Sequence, residues 1–131
     1  TILTIPSMTL RDVANYLKEK LGIPFLRVTG NLSMTCSRIG ILVGYRGGGS
    51  TAIPLFQSEN VDVIITGEGP EWETPEYVRD ANYQGRNKAL ITLGHAESEE
   101  PGMKTLAETL RISFPSLHIH YISDKPLFEV I

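Results

Sequence analysis

The stretch Gly94-His95-Ala96-Glu97-Ser98-Glu99-Glu100 holds the residues best suited to chemistry in this sequence. An imidazole and a carboxylate at i and i+4 reach one point when the residues between them begin a helical turn. His95 and Glu99 would then offer nitrogen and oxygen donors suited to a divalent metal: zinc, iron, manganese or nickel. A firm site needs three or more ligands, or a bridging pair of metals. The same residues have a plainer reading. His95 hydrogen-bonds in a strand-end turn, and the acidic residues favour the positive N-terminus of the helix that follows.

Two other stretches carry unusual residues. Gly44-Tyr45-Arg46-Gly47-Gly48-Gly49-Ser50 opens a helix, so Gly47, Gly48, Gly49 and Ser50 would present backbone N–H groups to a phosphate or other anion. The stretch matches neither the dinucleotide-binding nor the P-loop spacing, and a tight turn between strand and helix explains the glycines nearly as well. Thr66, Glu68, Glu71 and Glu73 cluster around Trp72. Such carboxylates serve as a general base or as partners that orient a metal ligand, unless they are simply solvated. His118 and His120 would share a face if they lie on a strand, where pairing to sheet neighbours is commoner than metal binding. Cys36 has no neighbouring base and reads as a small buried hydrophobe.

These groups need elements to position them. Thr9 with Asp12 resembles a capping box, Leu10, Val13, Ala14, Leu17 and Leu21 form one apolar stripe, and Gly22 and Pro24 stop the helix. This predicts a helix over about residues 9–21, preceded by an extended arm (2–5) ending at Pro6. Phe25 to Thr29 reads as a short strand. The near-continuous apolar runs 38–43, 61–65 and 88–93 suit strands covered on both faces. Ser50 is expected to cap a helix to about Ser58, and Thr74, with Pro75 at the first position, one to about Gln84. Pro101 is expected in the first turn of a helix ended by Pro115. Leu117 to Ile122 reads as a final strand, with an extended tail beyond Asp124. Alternating strands and helices imply a three-layer α/β fold: a mainly parallel sheet, helices on both faces, right-handed crossovers, and one domain over residues 1–131. In such a sheet, ligands gather beyond the carboxyl ends of the strands, where the three unusual stretches fall.

The 131 residues suffice for one core. A net charge of −3 and scattered Lys and Arg argue against nucleic-acid binding. No apolar run approaches the roughly 20 residues that span a bilayer, and no secretory signal is visible. A single cysteine excludes an internal disulfide framework and favours a cytoplasmic location.

Three stretches together resemble the carboxy-terminal half of the NGG-one-interacting factor three-like family, many of whose members are labelled GTP cyclohydrolase I type 2 homologues. They are Gly47-Gly48-Gly49-Ser50 opening a helix, Val61-Asp62-Val63-Ile64-Ile65-Thr66-Gly67-Glu68, and Gly94-His95-x-x-Ser98-Glu99. Their order and spacing match over about residues 9–126. The resemblance implies an α/β fold built as two related halves in full-length members, ring-shaped hexamers, and paired divalent metals in each subunit. It also implies that His95 and Glu99 are metal ligands. In full-length members the remaining ligands, a His-His pair and an Asp, come from the amino-terminal half. This sequence has no His-His pair, and Glu71-Trp72-Glu73 stands where many relatives carry a histidine.

The leading expectation is therefore a homo-oligomeric, divalent-metal-binding domain, and specifically a metal-dependent, cyclohydrolase-like hydrolase of a nucleotide-like or phosphate-bearing small molecule. His95 and Glu99 would hold the metal, Glu68 or Glu97 would handle the proton, and the glycine loop would hold an anion. The alternative is a non-catalytic assembly or regulatory module serving metal handling or protein contacts.

Overall fold

The first helix follows its sequence signals closely. In the computed structural model, which describes residues 1–124 and 126–129, α1 runs Leu10–Leu21. The Thr9 hydroxyl accepts from the Asp12 backbone N–H at 3.2 Å, and Gly22 closes the helix with φ 66°. That left-handed backbone carries little penalty for glycine, which has no Cβ.

A five-stranded sheet is the centre of the fold. Its strands are β1 (Ile2–Thr9), β2 (Arg27–Thr29), β3 (Thr35–Leu42), β4 (Val63–Thr66) and β5 (Ala89–Thr92), in the order β1-β3-β4-β5-β2. The central three are parallel; β1 and β2 pair antiparallel at the edges. The apolar runs are buried on both faces. Val63, Ile65, Ala89 and Ile91 pack with Leu10, Val13 and Ala14 of α1. Ile64 and Leu90 point the other way, onto Ala52 and Phe56 of α2 (Gly49–Ser58) and Val78 of α3 (Thr74–Tyr83). Each large apolar side chain so buried contributes about 1.5–3 kcal/mol. The expected three-layer α/β architecture, mainly parallel with helices on both faces, is what these packings produce. Cys36 is 1% exposed, and burial, then the nearby Asp62 charge, raises its thiol pKa.

Asp62 ties two strands together at the edge away from their carboxyl ends. Its Oδ2 accepts from the backbone N–H of both Ser37 and Arg38 at 2.9 Å. Its own N–H donates to Arg38 O, and its carbonyl accepts from Ala89.

Five local expectations are corrected. The arm before Pro6 belongs to an eight-residue strand, β1; Pro6 falls where the pairing register shifts between Thr4 and Met8. An edge strand tolerates proline there because a bulge needs no ladder N–H at that position. Ser50 does not cap α2, and Thr74 does not cap α3: the caps are Gly48 and Glu73, and neither makes a side-chain cap bond. Instead the Thr74 hydroxyl donates to Gly47 O at 2.6 Å, joining two loops. The last helix, α4 (His95–Ser113), begins six residues before Pro101, which lies inside it. Finally, 117–122 is not a strand. It lies beside α4, held by Arg111 Nε donating to Ile119 O (3.0 Å) and Tyr121 Oη donating to Glu100 (2.5 Å). The segment is no part of the five-stranded sheet, so His118 and His120 have no sheet face to share. Of the tail expected beyond Asp124, only residues 126–129 are described, and Lys125, Val130 and Ile131 lie outside the described residues. Among the described residues, no helix is long and apolar enough to cross a membrane.

Candidate metal centre at the sheet's carboxyl edge

The parallel strands β3, β4 and β5 end at one edge, and their following segments bring the flagged residues there. After β5, Gly94 adopts φ 116°, which turns the chain straight into α4. His95 is the first residue of that helix and Glu99 lies one turn on. His95 Nε2 and Glu99 Oε2 are 3.5 Å apart, as the i, i+4 spacing anticipates.

The other imidazole nitrogen is held from a different strand. His95 Nδ1 lies 2.7 Å from Oε1 of Glu68, two residues beyond β4. An ionised carboxylate only accepts, so Nδ1 carries the hydrogen and Nε2 of the neutral ring keeps its lone pair, facing Glu99. The Glu68 hydrogen bond, aided by the Glu99 charge and opposed by desolvation, raises the His95 pKa above its usual 6.5. This carboxylate–imidazole arrangement is the one that commonly orients a metal-ligating histidine.

Two glycines make room for the turn. A Cβ on Gly44 (φ 61°), just past β3, would run into the Glu99 carboxylate, and one on Gly67 would fall 2.5 Å from Ser98 Oγ. Ser98, singled out only within the Gly-His motif, is the joint itself. Its hydroxyl donates to His95 O and accepts from Gly44 N–H, both at 2.8 Å. Its place three residues after His95, in the first turn, was the available signal.

The remaining flagged residues are dispersed. Glu97 folds back over Gly94, half-buried, and among the described residues makes no hydrogen bond to His95, Glu68 or Glu99. Glu73 reaches the glycine loop, its Oε2 accepting from Gly49 N–H at 2.5 Å. Gly47 N–H is used by Glu68 O, Gly48 caps α2, and Ser50 is exposed. The start of α2 thus already holds an internal carboxylate where an anion would sit. Glu71 pairs with Arg27, and Trp72 is exposed.

His95 and Glu99 have donors of the right kind for a divalent metal, with Glu68 as the orienting partner. Among the described residues no three or more His, Cys, Asp or Glu converge as a ligand set, and Glu68 contacts the imidazole at Nδ1 rather than Nε2. The pair therefore fits part of a metal site and needs further ligands from outside it.

Known proteins are similar to this chain in sequence and in fold. The chain is 29% identical over 104 residues to a Clostridium perfringens protein named GTP cyclohydrolase 1 type 2 homolog; the match covers 79% of this chain and 36% of that protein. The chain thus spans about a third of that curated relative. Its fold is similar to a hypothetical protein of Staphylococcus aureus (TM-score 0.68, 24% identity, 98% of this chain and 42% of that one). It is also similar to a Bacillus cereus protein related to NIF3 (TM-score 0.69, 21% identity, 99% and 35%). The model of the Duf34/NIF3 family (NGG1p interacting factor 3) matches residues 2–126, and the chain belongs to that family.

Proposed function

We propose that this chain is a divalent-metal-binding α/β domain in which His95 Nε2 and the Glu99 carboxylate are two ligands of zinc, iron, manganese or nickel. The observation that carries this reading is the line Glu68–His95–Glu99: one carboxylate holds Nδ1 at 2.7 Å while the other stands 3.5 Å from Nε2. The further ligands come from polypeptide beyond this chain or from a neighbouring copy. When bound, a divalent ion supplies Lewis acidity that polarises an oxygen of a substrate. The substrate class that fits the curated relative's name is nucleotide-like or phosphate-bearing, and the reaction class is hydrolytic. Glu68 keeps the proton on Nδ1 and fixes the tautomer. Proton exchange with substrate then falls to Glu97, the nearby carboxylate without a hydrogen bond among the described residues. An anion on the Gly47–Ser50 loop would have to displace Glu73 from Gly49.

The test is metal content by plasma mass spectrometry on protein purified without chelator or nickel affinity. About one or more divalent ions per chain are expected in the parent protein, lost in His95→Ala and Glu99→Ala. Unchanged metal content in His95→Ala would refute the proposal.

A second reading, a non-catalytic module that assembles into a homo-oligomer, is favoured by a separate observation. Most exposed large apolar side chains fall between residues 103 and 128, among them Met103, Leu106, Ile112 and Phe114 on and just after α4. Concentrated apolar exposure marks interaction surfaces. Under this reading Leu106→Glu and Ile112→Glu reduce the mass measured by light scattering. Turnover of phosphoesters or nucleotides by metal-loaded protein would count against it.

A further inference from the structure

The sheet face covered by α2 and α3 is apolar until its carboxyl edge, where the residue types change. The registers place Thr66 of β4 opposite Thr92 of β5, and Thr92 opposite Arg27 of β2. Paired residues share a face, and Thr29 lies opposite Leu90, which packs on the α3 side. A row of two threonines and an arginine therefore stands where the rows below it carry Ile64 and Leu90. This row floors a pocket of about 320 Å³ whose far wall is α3. None of Glu68, His95 and Glu99 lines it.

Thr66 is 1% exposed, and its hydroxyl makes only a long 3.4 Å bond to Glu68 O. Thr29 and Thr92 make no side-chain hydrogen bond among the described residues, where no buried side-chain polar atom is left unpartnered, so their hydroxyls are open to the pocket. Charge is arranged around the mouth in pairs. Arg27 from the sheet is 2.7 Å from Glu71, and Arg79 from α3 pairs with Glu76; all four line the pocket. Two cations and two anions thus stand around one small opening, with Leu90 and Pro75 as its apolar surface. Exposed ion pairs of this kind hold about 0–1 kcal/mol each, so a ligand group can exchange for either partner at little cost.

From this we infer a binding site for a small zwitterion of the amino-acid type: its carboxylate on an arginine and the threonine hydroxyls, its ammonium on a glutamate, its side chain against Leu90 and Pro75. The volume is at the low end for ligand pockets, too small to favour a nucleotide. The inference is independent of the metal reading, because the two sites share no residue named for either.

The standard amino acids, titrated one at a time, are the probes, with acetate and methylammonium as its single-charge halves, followed by amide NMR shifts. At least one amino acid should shift the Thr29, Gly69 and Thr92 amides saturably. At least one of Arg27→Ala and Arg79→Ala, and the double variant, whose spectra elsewhere should match the parent, should weaken that binding roughly tenfold or more. His95→Ala should titrate like the parent. The proposal is overturned if no amino acid shifts these amides, if the double arginine variant binds as before, or if acetate alone binds as well as the amino acid. Loss of binding in His95→Ala would equally overturn it, by moving the site to the other group.

Discussion

His95 Nδ1 and Glu68 Oε1, 27 residues apart in the chain, sit 2.7 Å from each other at the ends of neighbouring parallel strands. The contact favours the protonated imidazole, so the stabilisation it adds is fully present below pH 6.5 and disappears as pH rises through the elevated folded-state value. In chelator-treated protein, the His95 ring should therefore titrate above 6.5 by NMR, and Glu68→Gln should bring the midpoint down. An unmoved midpoint would show that Glu68 does not control this ring.

Gly44 and Gly22 both have left-handed backbone, at φ 61° and 66°, yet they face different surroundings. A side chain at Gly22 meets nothing within 4 Å, whereas one at Gly44 meets Glu99. Gly22→Ala should cost about 1–2 kcal/mol from backbone strain alone and leave metal content unchanged. Gly44→Ala should cost more in thermal or urea unfolding and also reduce bound metal. Equal behaviour of the two variants would mean that Glu99 yields freely.

Asp62 should act on stability rather than on chemistry. Its carboxylate satisfies the N–H groups of Ser37 and Arg38 at the edge opposite the candidate centre. Asp62→Ala removes two charge-assisted bonds and should lower unfolding free energy by about 2–3 kcal/mol, with Asp62→Asn milder. Metal content per folded chain should be unchanged in both.

Glu100 anchors the segment after α4. Hydrogen bonds from Ser123 and then Tyr121, with Lys104 beside them, lower its pKa from 4.5 to about 2. A depressed carboxyl contributes above its unfolded value of 4.5 and loses that contribution as pH falls through about 2. Glu100→Gln should release residues 119–123 at neutral pH, seen as faster amide exchange. It should also let the Tyr121 hydroxyl ionise at lower pH, since the Glu100 bond is the main cause of its raised pKa. Protection unchanged in Glu100→Gln would place the anchor elsewhere.

Much of this architecture is written in local pattern. The apolar stripe and caps of α1, the doubly buried runs of β4 and β5, and the i, i+4 relation of His95 to Glu99 each depend on residues within one or two turns or one strand. Those signals suffice for the fold class and for placing the candidate residues at one sheet edge. Pairing across the chain decided the rest. β1 is a strand because β3 offers an edge to it, and 117–122, though patterned as a strand, instead lies beside α4, bonded to Arg111 and Glu100. Likewise, no spacing rule says that Glu68 takes His95 while Glu73 takes the glycine loop. Local propensity is set by a few neighbouring residues, but a hydrogen-bond partner tens of residues away exists only once the sheet's register has brought the two together.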